Sequence, residues 1–214
     1  MKRFLAVVVA VGLAACGDDD KASGGPASGT LGGQPFTPTN VSAVQVAPTT
    51  CTIQSTPVNV SGLILGFGSF DLCSYLAQAG FCGAKASSTL VGAAVMKIGL
   101  VQAPTAVGAG TYNVIDLATA TPDLSGNITG ATGSATRTGA TCIPTFAEDA
   151  NAGGTITVSS TSATSVAGSV NFAFGTGSTF SGSYNATVCP QSVDICQLLL
   201  LLAGGSCTTP VCVP

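Results

Sequence analysis

The chain has no histidine and no tryptophan in 214 residues, and only 7 % of it is charged. Without imidazole there is no Ser-His-Asp or Cys-His nucleophile scheme and no His-ligated metal. A Ser-Lys dyad needs a lysine kept neutral by burial beside a serine. Lys85 lies near Ser87 and Ser88, and Lys97 falls in a strand-like run, but neither has the S-x-x-K spacing. The lack of tryptophan removes the best platform for stacking on sugars, and Tyr75, Tyr112 and Tyr184 read as core residues. Six basic residues make no stripe that tracks phosphates, which argues against a nucleic-acid partner. Beyond the N-terminus no apolar run approaches the roughly 20 residues of a membrane-spanning helix. The densest, over 198–203, reads as a short buried segment.

The N-terminus has the parts of an export signal. Lys2 and Arg3 supply the positive region, residues 4–13 are apolar or small, and Leu13-Ala14-Ala15-Cys16 follows. This tetrapeptide resembles the lipobox of bacterial lipoproteins. The resemblance covers the first sixteen residues. It implies cleavage before Cys16, a diacylglyceryl group on the Cys16 thiol and acylation of the new amino terminus. Each buried methylene contributes about 0.8 kcal/mol, so two or three chains anchor firmly where one is marginal. Gly17, rather than aspartate, follows the cysteine, with Asp18, Asp19 and Asp20 next. By analogy with lipoprotein sorting, this favours the outer over the inner membrane. Cleavage leaves four basic residues against nine acidic ones, a formal charge of −5.

The other eight cysteines are Cys51, Cys73, Cys82, Cys142, Cys189, Cys196, Cys207 and Cys212. An even number in an exported chain predicts disulfides, with about a hundred connectivities available. No C-x-x-C occurs and the spacings do not pair like zinc ligands, so no metal site and no cofactor is expected. Cys73 with Cys82 is the best single expected pair, since the two flank one short helical segment. One or both of Cys207 and Cys212 are expected to staple the tail to Cys142, Cys189 or Cys196.

Domain organisation reads as a signal peptide over 1–15, a lipidated flexible tether over 16–33 and one disulfide-stapled domain over 34–214. The tether is small, polar, glycine-rich and without periodicity. Strands are expected over 41–47, ended by Pro48, and over 58–67, 89–99 and 111–117. An exposed strand is expected over 128–140, with Arg137 facing solvent. Asp71 caps a short helix over 69–80, and Ser192 caps another that Gly204-Gly205 stops.

The clearest pattern lies near the C-terminus. Ile156 and Val158 alternate with polar residues. Val166, Val170, Phe172 and Phe174 share one face with Gly168 in register, and Phe180, Tyr184, Ala186 and Val188 repeat this with Gly182. Turns fall at 160–163 and 175–177. Three period-2 runs with short turns predict an antiparallel meander, one face buried and one wet. The fold class is therefore mainly β: an antiparallel barrel or two-sheet sandwich of about eight strands with one or two short helices.

The remaining chemistry is carboxylate chemistry. Asp71, Asp116, Asp123, Glu148, Asp149 and Asp194 are the acids of the body. Glu148-Asp149 read as a solvated pair in a turn-rich loop, the place for a glycosidase pair or, with Asn151, a loose calcium site. Gly66/Gly68 and Gly175/Gly177 lack the phosphate-loop fingerprint and read as strand-end or turn glycines. No catalytic residues are assigned. The expected role is a non-enzymatic envelope lipoprotein, anchored through lipid, that contacts an envelope protein or serves as a structural surface component. The alternatives are a calycin-like barrel holding a small apolar ligand and a carboxylate-dependent hydrolase.

Overall fold

The computed structural model describes residues 25–53, 56–73, 92–103, 105–115, 129–140, 144–149, 153–190 and 196. Eleven strands form one sheet: β1 (Ser28–Leu31), β2 (Gln34–Phe36), β3 (Asn40–Ile53), β4 (Thr56–Gly68), β5 (Ala94–Gln102), β6 (Gly110–Asn113), β7 (Thr129–Thr138), β8 (Pro144–Asp149), β9 (Gly154–Thr161), β10 (Ser165–Ala173) and β11 (Thr179–Val188). The main path is β6-β9-β10-β11-β3-β4-β5-β7-β8, with β1 beside β11 and β2 beside β1. The sheet is mixed, since β11 and β3 run parallel through Thr187↔Ser42 and Val188↔Ala43. The other ladders are antiparallel.

The β9–β10–β11 meander forms where period-2 alternation predicts it. Ile156, Val158, Val166, Val170, Phe172, Phe180, Tyr184 and Ala186 are buried together. Asn171, Ser181, Ser183, Asn185 and Thr187, at the alternate positions, are exposed. Full burial of a side chain such as Phe172 contributes about 2–3 kcal/mol. Gly168 keeps the buried period but carries no side chain. A Cβ there would overlap the Thr157 carbonyl and lie 2.8 Å from the Tyr184 hydroxyl. The tyrosine ring takes the room that Gly168 leaves.

β3, β4 and β5 are buried on both faces. Leu63, Leu65, Phe67, Met96, Ile98 and Leu100 join the main core, and Val44, Val46, Val60, Val95 and Val101 are buried on the opposite side. This two-sided burial explains the unbroken apolar run in β4, where one-sided strands alternate.

Several expectations need correction. The strand at 41–47 does not end at Pro48: β3 continues to Ile53. Its register against β4 passes from Val46↔Gly62 to Thr49↔Val60, so Ala47 and Pro48 together oppose Ser61. Proline has no N–H to donate, and a bulge is where a ladder tolerates it. β5 ends three residues later than the expected strand at 99, at Gln102.

The strand at 128–140 is not an exposed one. β7 lies between β5 and β8 with Ala131 and Ala135 in the core, because its small residues pack under larger neighbours. Glu148 and Asp149 lie not in a loop but at the end of β8, opposite Ala135 and Ser134. The expected tether also gives residues to the sheet. β1 and β2 form a hairpin closed by Leu31↔Gln34, and Leu31 is fully buried. Its two turn residues, Gly32 and Gly33, have φ of 61° and 74°, as a type I′ turn requires.

The expected helices lie outside the described residues, apart from their traces at Leu72-Cys73 and Cys196. Asp71 Oδ1 accepts from the Cys73 amide at 3.0 Å.

Candidate functional site

Two bridges tie the described fold together: Cys51–Cys196 and Cys73–Cys189. The expected Cys73–Cys82 pair is thereby corrected. Nearness in sequence suggested it, whereas the topology supplies a different neighbour. β4 ends at Gly68 opposite Asn40, and β11 ends at Val188 beside Ala43, so both exits meet at the same end of β3. The Cys189 amide donates to the Ala43 carbonyl at 2.7 Å and fixes that cysteine where Cys73 reaches it. Cys16, Cys82, Cys142, Cys207 and Cys212 lie outside the described residues.

Polar groups are organised at opposite ends of β5. At the Gln102 end, Ser61 is fully buried. Its Oγ accepts from the Val107 amide at 3.0 Å and lies 2.8 Å from the Thr105 carbonyl and 3.1 Å from that of Gln102. The Tyr112 hydroxyl accepts from the Gly108 amide at 3.1 Å and lies 2.8 Å from the Gly108 carbonyl and 3.0 Å from Gln102 Oε1. These two hydroxyls pin the 103–109 segment over the sheet end. Ser61 has backbone partners rather than a base, so its arrangement is that of an anchor, not a nucleophile.

Tyr112 and Tyr184 are both buried, 4 % and 6 % exposed, so they do not offer a stacking surface. The Tyr184 hydroxyl donates to the Thr157 carbonyl at 3.2 Å. Burial, and secondarily the neighbouring Tyr112, holds its pKa well above the usual phenol value.

At the other end of β5, Ala94 pairs with Arg137, which in turn pairs with Phe146 of β8. Arg137 shares the face of β7 that carries Ala131 and Ala135, and is half-buried rather than fully solvent-facing. Its Nη2 donates to the Pro35 carbonyl at 3.1 Å, while its Nε is buried with no hydrogen-bond partner. A bulge sits here as well: the register passes from Arg137↔Phe146 to Thr138↔Pro144, leaving Thr145 to donate through Oγ1 to the Arg137 carbonyl at 3.2 Å. The sequence reading missed this arginine because strand parity could not be set without knowing which face of β7 is inward.

Asp116, Asp123, Asn151, Asp194, Lys85, Ser87 and Ser88 lie outside the described residues. Lys97 is in β5, opposite Gly66 and Ser134. Among the described residues no three of His, Cys, Asp or Glu cluster as metal ligands, and no helix is long and apolar enough to cross a membrane. Protein-family models, curated proteins and solved structures were compared with the chain, and none matches it.

Proposed function

We propose that this is an exported lipoprotein, cleaved before Cys16 and held by lipid at the outer membrane, whose β domain acts through protein contact or as a structural surface component rather than by catalysis. The disulfides Cys51–Cys196 and Cys73–Cys189 carry this reading. Such bonds persist in oxidising compartments, where the signal at 1–15 would deliver the chain. The hydroxyl groups of Ser61, Tyr112 and Tyr184 are committed to backbone partners, which supports a scaffold role over a reactive one.

We infer further that the sheet closes into a barrel. Ile115, just past β6, donates from its amide to the Ala131 carbonyl at 2.8 Å, and Val114 bridges Ala131. That contact links the first strand of the main path to β7, near its last, and gives a ring through β6, β9, β10, β11, β3, β4, β5 and β7. Closure leaves few free strand edges, as a protein exposed to other envelope chains requires.

Closure into a barrel also bears on the ligand-binding alternative. Its inward positions carry Phe67, Phe172, Phe180, Leu65 and Ile98 in one contiguous cluster, which favours a filled interior over an enclosed ligand.

Photo-crosslinking amino acids at Asn171, Ser183 and Asn185, used in the native membrane, test the contact reading. The expected result is one recurrent protein adduct from neighbouring positions, abolished by Asn171→Arg on the same face. Loss of a measured hydrolytic activity on Glu148→Gln or Asp149→Asn, with no protein adduct, would contradict it.

A further inference from the structure

We propose that Arg137 is the seat of a binding site for an external carboxylate, opened by a shift of the Pro35 backbone in the β1–β2 hairpin. The guanidinium is a cation that presents five N–H donors in a planar fork. Here one donor is used, by Nη2 toward the Pro35 carbonyl at 3.1 Å. Nε, which shares an edge of the fork with Nη2, is buried and has no acceptor. A single carbonyl oxygen serves one donor of that edge well. A carboxylate brings two oxygens at the spacing of the two donors and satisfies both, with its charge opposite the cation. The present arrangement is therefore a closed state in which a backbone carbonyl occupies half of a bidentate site.

The part that must shift is the Pro35 backbone, since Leu31 and Phe36 on either side are buried in the core. β2 has three residues and pairs only with β1 among the described ladders. Gly32, at the tip of this hairpin, packs so closely on Phe146 that a Cβ there would lie 2.8 Å from its ring. Phe146 is the register partner of Arg137, so hairpin and arginine share one wall. The register shift at Arg137/Thr138 leaves Thr145 outside the ladder at this point. Phe146, Phe36 and Ala94 make the surroundings apolar. The acid that fits thus carries a hydrocarbon portion beside its carboxylate.

The nearest acidic position in the ladder is Glu148, opposite Ala135. The test must separate this position from an external acid.

The test reads the Arg137 Nε–H resonance of the 15N-labelled, disulfide-bonded full chain. Arg3 is the only other arginine, so Arg137→Lys assigns the signal by its disappearance. Acetate and decanoate are titrated against sodium chloride at equal ionic strength. The proposal expects a saturable shift of Nε–H and of the Phe36 amide with either acid, reached at lower concentration with decanoate, and no such shift with chloride. No shift, or the same shift with chloride, overturns it. A shift that appears only after Glu148→Gln also overturns it, since the chain's own carboxylate would then fill the site. The titrations of the unmodified chain stand even if the lysine variant folds poorly.

Discussion

Opening one bridge should cost less than its loop length alone implies, because the two bridges are nested. Cys51–Cys196 spans 145 residues and Cys73–Cys189 spans 116 within it. In the chain-entropy model, a lone bridge over either loop restrains the unfolded chain by about 5 kcal/mol. With one bridge already closed, the other closes only the ring from Cys51 to Cys73 and from Cys189 to Cys196, a span of 29 residues, the difference between the two separations. For a ring of that size the same relation gives about 3.6 kcal/mol. Replacing Cys51 and Cys196 by alanine should therefore cost about 3.6 kcal/mol, and removing both bridges about 8.6 kcal/mol, well into the total stability of an ordinary domain. Bridges among Cys82, Cys142, Cys207 and Cys212 would shorten the rings and lower both figures. The assay is urea unfolding of the oxidised protein, the pairwise variants and the fourfold variant. The reasoning is refuted if the two pairwise losses sum to the fourfold loss, or if either pairwise variant matches the parent.

Other predictions rest on single side chains. Tyr184 keeps its proton in the fold after the unfolded chain has lost its own, so the native state binds more protons and stability falls as pH rises. This contribution is intact below about pH 10 and declines above it by up to ~1.4 kcal/mol per pH unit. Alkaline thermal melts should show the decline, and Tyr184→Phe should flatten it. Ser61→Ala strands the half-buried Val107 amide and should cost about 1 kcal/mol, with faster hydrogen exchange confined to 105–109. Gly168→Ala forces a methyl against the Thr157 carbonyl and the Tyr184 hydroxyl and should cost about 3 kcal/mol in urea, whereas a neutral result would show that β9 yields at its bulge.

The meander was legible because each of its strands buries one face, so alternation is written directly into the residues from Ile156 to Ala186. β7 was misread for the opposite reason. Apart from Thr138 at its end, its buried positions are Gly and Ala, which look the same inside or out, and Ala131, Gly133 and Ala135 are inward because Leu100, Ile98 and Met96 of β5 stand beside them. The β1–β2 hairpin did carry a signal: the Gly32-Gly33 pair closes a two-residue turn beside the buried Leu31. It was submerged in the glycine-rich composition around it. Pro48 was taken as a stop because a bulge is invisible until the partner strand is known.

The cysteines divide in the same way. Their number predicted bridges, but Cys73 meets Cys189 only because β3 brings the ends of β4 and β11 together. Arg137 is the case that mattered most for a site. One residue of register decides whether a guanidinium is solvated or half-buried beside a hairpin, and sequence alone does not set that register.

The measurement that bears most directly on the account is intact mass spectrometry of the protein extracted gently from its own membrane, followed by mapping of its cross-linked peptides. The account predicts an N-terminus at Cys16 carrying a diacylglyceryl group and an amide-linked acyl chain. It also predicts Cys51–Cys196 and Cys73–Cys189 among the bridged peptides and a mass eight hydrogens below that of the fully reduced chain. A chain that retains residues 1–15, or ends at Cys16 without lipid, would contradict it.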